Sequence, residues 1–73
     1  MDRALIMYVI YDHPRDFPRY VVRRWRTDHN GSFADLAYDL ARTLEQARQL
    51  IPPGLVCLDR NPDDDTAIAE VWL

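Results

Sequence analysis

Lysine is missing from this chain of 73 residues, cysteine occurs once, and no apolar stretch is long. One thiol excludes a disulfide within the monomer, and small secreted domains usually carry several pairs, so Cys57 points to a reducing compartment. The longest apolar run, Ala4 to Tyr11, gives way to Asp12 and His13. It is too short to span a bilayer and has no small-residue cleavage site behind it. We therefore expect a soluble, cytoplasmic protein with no membrane association. The nine basic residues are all arginine, which suggests a GC-rich bacterial genome. Repeats, low-complexity tracts, flexible linkers and recognisable catalytic motifs are absent as well. That leaves one domain over residues 1–73, no enzyme class to assign and no cofactor to expect.

A chain of this size hides only about 60% of the surface that its unfolded form exposes. A lone core below roughly 70–80 residues supplies only about 3–5 kcal/mol, so added support from a metal or a second copy of the chain is expected. The net charge of −3 conceals an uneven distribution. Residues 1–31 hold six Arg against four Asp, whereas residues 32–73 hold three Arg against eight acidic residues.

The run from Ala4 to Tyr11 is apolar at every position and rich in β-branched and aromatic residues, as in a strand covered on both faces. Asp12 to Pro18, with two prolines and two Asp, reads as a loop. Tyr20 to Thr27 forms a second strand, antiparallel to the first because the connection is short. Its pattern is awkward, since strict alternation sets Tyr20 and Val22 beside Arg24 and Arg26. A β-bulge near Arg23-Arg24 would bring Val22 and Trp25 to one side.

Thr43 to Ile51 is expected to be the helix. Thr43-Leu44-Glu45-Gln46 is a capping box, and Pro52-Pro53-Gly54 stops the helix. Leu44, Ala47, Leu50 and Ile51 fall at helical spacing and would face the sheet. Residues 33–41 admit two readings. Phe33, Leu36, Ala37 and Leu40 extend the helical stripe backwards from Leu44, with Ser32 as an alternative N-cap. Leu36, Tyr38 and Leu40 also alternate with Asp35, Ala37 and Asp39 behind an Asn30-Gly31 hairpin pair, as an added strand would. Leu55 to Asp59 and Ala67 to Leu73 read as two final strands paired as a hairpin. The expected fold is α+β, a mostly antiparallel four-stranded sheet with one main helix in the order ββαββ, and residues 33–41 as extra strand or helix extension.

Three segments, YVIYDHPRDFP (8–18), TLEQARQLIPPGL (43–55) and LDRNPDDDTAIAEVWL (58–73), resemble a group of short uncharacterised bacterial proteins of similar length. The resemblance spans most of the chain, with residues 28–41 least supported. It implies no activity, cofactor or catalytic residue, and it favours Thr43 as the helix start.

Four constellations bear on chemistry. Asp59, Asn61, Asp63, Asp65 and Glu70 mimic the oxygen-ligand spacing of a calcium loop. Asp64 stands where that loop needs glycine, Pro62 stiffens it and the flanks are strand-like, so a solvated acidic turn is the simpler reading. Asp12, His13 and Asp16, with His29 from another loop, offer a histidine that an aspartate can orient as a general base. No nucleophile completes that set, and the two histidines lack the helical spacing of a zinc pair. Cys57, between Val56 and Leu58, reads as a packed, inert thiol. Arg15, Arg19, Arg23, Arg24 and Arg26 interleave with Phe17, Tyr20 and Trp25 in the manner of a strand that holds single-stranded nucleic acid. A pI near 5.1 argues instead for cross-strand ion pairs.

Packing is the feature that reaches furthest. Alternation sets Ile68 and Trp72 on one face of the last strand and Val71 and Leu73 on the other, while the first strand is apolar on both. One helix covers one face, and a large apolar patch left on the other marks an interaction site unless residues 28–41 fold over it. We therefore expect a small non-enzymatic interaction module that forms a homodimer, with Tyr8, Trp25, Trp72, Arg24 and Arg26 at its interface. Another protein partner, a single-stranded nucleic-acid role for the Arg19–Arg26 strand, and a small enzyme built on the Asp12-His13-Asp16 loop are the alternatives.

Overall fold

Leu5–Tyr11 forms β1, the strand with a hydrogen-bonded neighbour on each side along most of its length, as its unbroken apolar composition requires. The computed structural model describes residues 4–15, 17–58 and 67–73. After β1 come β2 (Tyr20–Asp28), β3 (Gly31–Ala34), β4 (Asp39–Ala41), α1 (Leu44–Gln49), β5 (Cys57–Leu58) and β6 (Ile68–Trp72). The strands form one antiparallel sheet in the order β3-β2-β1-β6-β5, with β4 beside β3 along the same edge of β2. The α+β class and the final hairpin agree with expectation. The four-strand ββαββ order does not hold, because residues 31–41 contribute two additional short strands.

Those residues run back along β2 instead of extending the helix. Thr43, the N-cap, has φ −127° and ψ 158°, an extended conformation that cannot continue a helix backwards from Leu44. The edge of β2 meanwhile presents N–H and C=O groups that need partners, and β3 and β4 supply them. Their register slips between the two contacts. Trp25 lies opposite Ala34 and Val22 opposite Asp39, so Arg23 and Arg24 face the longer segment 35–38, which bulges outwards. The irregularity expected within β2 therefore sits in its partner, and the β1–β2 register runs without a break from Leu5↔Thr27 to Tyr11↔Val21.

This register divides the side chains between two faces. Tyr8, Ile10, Val22, Arg24, Arg26, Glu70 and Trp72 point to the helix face; Met7, Val9, Tyr11, Val21, Arg23, Trp25 and Val71 point to the other, here called the open face. Val22 and Trp25 are thus on opposite faces. A shift in the β1–β6 register pairs Tyr11 with Ile68, so Ile68 joins Val71 and parts from Trp72, against simple alternation.

The core lies on the helix face, where Ile10, Val22, Ala41, Ala47 and Ile51 form one cluster with Leu44, Leu55 and Trp72 packed around it. Only Ile10 is a fully enclosed large side chain among the described residues. The helix is anchored by its cap, since the Gln46 N–H donates to the Thr43 hydroxyl at 3.1 Å and the Gln46 side chain accepts from Arg42 N–H at 3.2 Å. Gly54, at φ +88°, turns the chain away after Pro52-Pro53 in a conformation that glycine adopts without penalty.

With so short a helix, the cap is a large share of what holds it. Thr43→Ala is expected to lower unfolding free energy by about 1 kcal/mol and Thr43→Ser to restore most of it. Paired urea midpoints measure the difference.

Candidate functional site

The open face carries no helix among the described residues, and its two ends differ. At the Tyr11 end the loop between β1 and β2 turns back over the sheet. Phe17 N–H donates to the Pro14 carbonyl at 2.8 Å, and Phe17 stacks edge-on against Tyr38 with ring centroids 5.1 Å apart. Trp25 donates its indole N–H to the Tyr11 hydroxyl at 3.0 Å, a bond that reaches past the register position of Val9. Val9 and Val21 are buried there. The loop between β1 and β2, with Tyr38 from the 28–41 segment against Phe17 and Arg23, shelters this part of the sheet. Leu5, at the start of β1, and Val56 and Leu58, on the outermost strand, are 50%, 65% and 42% exposed; the register sets Val56 and Leu58 level with Leu73 and Val71, and so with Met7 and Val9.

The helix face holds a cleft of about 210 Å³ walled by Tyr8, Val22, Arg24, Asp35, Leu50 and residues 37–39. Arg24 Nε meets Asp35 at 2.9 Å, and the Asp35 N–H donates to the Arg24 carbonyl at 2.9 Å. The bulge thereby hands Arg24 its counter-ion. Arg26 lies 3.6 Å from Asp28. These are cross-strand and local pairs of the kind expected from the acidic pI, and they are half exposed, so each adds little stability.

The residues expected at an interface do not share one face. Tyr8, Trp72, Arg24 and Arg26 are on the helix face and Trp25 on the open face. Trp72 packs against the core and donates to Glu70 at 3.2 Å. Sequence does not single out Leu58 and Val56, because a strand pattern does not tell an edge from a centre. The same blindness explains Cys57, expected packed but exposed on the outermost strand.

His13 and Asp12 are in contact, Nδ1 to Oδ1 at 2.5 Å, and both are about half exposed. His13 turns the chain at φ +48°, a region in which histidine is enriched among non-glycine residues, and its ring lies edge-on to Tyr20. Asp16 is outside the described residues. His29 sits in the turn at the far end of β2, and a nine-residue strand separates the two histidines by roughly 26 Å at 3.3 Å per residue.

Of the acidic-loop residues, Asp59, Asn61, Asp63 and Asp65 lie outside the described residues, and Glu70 points to the helix face. There Arg48 grips it with two N–H donors, Nε at 2.8 Å and Nη2 at 2.6 Å. This fork ties the last turn of α1 to β6. Hydrogen bonding from Arg48, aided by Trp72 and opposed by partial burial, holds the Glu70 carboxyl below its ordinary range. No group of three or more His, Cys, Asp or Glu suited to a metal ion occurs among the described residues, and no helix there is long and apolar enough to cross a membrane.

A carboxyl that is more acidic when folded stabilises the fold fully above its unfolded value of roughly 4.3, and that contribution is lost as pH falls towards the lowered folded value. Glu70→Gln is therefore expected to cost stability at pH 7 and much less at pH 3. Urea unfolding at both pH values gives the comparison.

No protein-family model matches the chain, and none of the curated proteins or solved structures matches it either.

Proposed function

We propose that the chain is a small non-enzymatic protein-interaction module that self-associates through the part of its open face that runs from Leu5 to the outer strand β5. The observation that carries this is the exposure of Leu5, Val56 and Leu58 on the side of the sheet opposite α1. Met7, Val71 and Leu73 stand beside them and are only half buried. A second copy laid across these side chains removes them from water at a gain of about 25 cal/mol per Å² of apolar surface. It also lends support that a core with one fully enclosed large side chain among the described residues does not generate alone. A homodimer with a two-fold axis over this patch is the simplest closed assembly, because the same residues serve both partners. β5 forms the outer edge of the sheet and can extend the contact by strand pairing. The bacterial, cytoplasmic setting and the resemblance to short bacterial proteins belong to the same proposal.

The division of Arg23 from Arg24 and Arg26 between faces, and the carboxylate beside each of the latter two, leave less free charge for phosphate contact on either side. The half-exposed Asp12-His13 pair has no nucleophile beside it among the residues described. Self-association is the reading these features support best.

Light scattering behind size exclusion on the full chain, at tens of micromolar, is expected to give twice the 8.6 kDa chain mass. Leu58→Glu, a change at an exposed site, is expected to weaken association at least tenfold, about 1.4 kcal/mol. Leu36→Glu, at a position 97% exposed in the bulge, is expected to leave it unchanged. A natural chain that stays monomeric at these concentrations refutes the proposal.

A further inference from the structure

The geometry points to a binding site for a small monocarboxylate with a short apolar or aromatic tail, in the cavity beneath the β1–β2 loop. This cavity, of about 180 Å³, is lined by Tyr11, Pro14, Phe17, Val21 and Arg23. It is at the Tyr11 end of the open face, away from Leu5, and so does not depend on self-association. Four of its five walls are apolar or aromatic. The fifth is a guanidinium.

That guanidinium is in an unusual position for this molecule. Its neighbours on β2, Arg24 and Arg26, have Asp35 and Asp28 within ion-pair distance. Arg23 points to the opposite face and has no carboxylate partner among the described residues. It lies over the ring of Tyr38, 5.3 Å from the centroid, and its Nε is buried with no hydrogen-bond acceptor. Orphaned buried donors are rare in folded proteins, because the group gives up water and gains nothing in exchange. The Tyr38 ring offsets part of the charge but accepts no in-plane N–H bond.

The buried Nε presents no surface to a ligand, so a carboxylate entering the cavity meets the guanidinium at its outer Nη groups. The two carboxylate oxygens match the planar donor fork of arginine, and one negative charge balances one guanidinium. Phe17, Pro14 and Val21 offer the tail apolar surface. Small-ligand sites have this composition, apolar surroundings with a few convergent polar groups that fix orientation. A phosphate dianion fits less well, since its extra charge and strongly hydrated oxygens would find one cation among apolar side chains.

Benzoate tests the site, with benzamide as its uncharged counterpart of the same shape. Titrated into the ¹⁵N-labelled full chain, benzoate is expected to give saturable shifts at the amides of Tyr11, Phe17, Val21 and Arg23 and at the Arg23 Nε–H, with benzamide at least tenfold weaker. Arg23→Met is expected to weaken benzoate at least tenfold, and Arg42→Met, at an exposed position before α1, to leave it unchanged. Equal binding of the two probes, or unsaturable shifts spread over exposed Arg15 and Arg19 as much as Arg23, overturns the assignment. Should Arg23→Met fail to fold, the contrast between probes and the Arg23 Nε–H signal of the natural chain decide the matter alone.

Discussion

A strand apolar on both sides must be covered on both sides, and the described residues hold one six-residue helix with which to do it. The rest of the structure follows from how that requirement is met. α1 takes the face of Ile10 and Val22, and the buried cluster of the described residues forms there. On the opposite face a loop takes the place of a helix, and it reaches only the Tyr11 end. Pro14 and Phe17 are suited to that task, because proline stiffens the loop and phenylalanine offers a large apolar surface without a polar atom to satisfy. Beyond the reach of this loop the sheet presents aliphatic side chains to solvent, and that is where a partner is proposed.

Attachment of the helix relies on few contacts. Thr43 closes its first turn and the Arg48–Glu70 fork its last. Arg48 is half in solvent, so the value of the fork is more geometric than energetic: two hydrogen bonds tie the last turn of α1 to β6. β2 solves a different problem. Three arginines in a strand must either reach solvent or find partners, and the bulge at 35–38 brings Asp35 to Arg24 and Tyr38 to Arg23. An interruption in one strand thus serves charged side chains on both faces of the next.

Much of this was legible in the residues. Uniform apolarity identified β1 as central, and the spacing of Thr43 and Gln46 identified the helix start, since both signals depend only on neighbours in sequence. The Asn30-Gly31 pair located a hairpin, although the turn residues are His29 and Asn30, with Gly31 at φ +125° beginning β3. Residues 33–41 were ambiguous because Leu36 and Leu40 suit both periodicities. The edge of β2 settled the choice, and an edge is a property of the assembled sheet. The register shift in β6 was invisible for the same reason, and with it the face of Ile68. For the candidate sites, sequence brought Asp12 to His13 correctly because they are adjacent. It did not foresee that Arg23 would part from Arg24 and Arg26 across the sheet, or that Cys57, Val56 and Leu58 would lie at its rim.

The central claim is that the open face from Leu5 to the outer strand β5 is covered by another copy of the chain. Isotope-filtered NOE spectroscopy on an equimolar mixture of ¹³C-labelled and unlabelled protein addresses it directly. Methyl groups of Leu5, Val56 and Leu58 are predicted to show NOEs between copies, with none from Leu44 or Ile51 beneath α1. Contacts of those three methyls confined to their own chain, at concentrations where all three are well resolved, would contradict it.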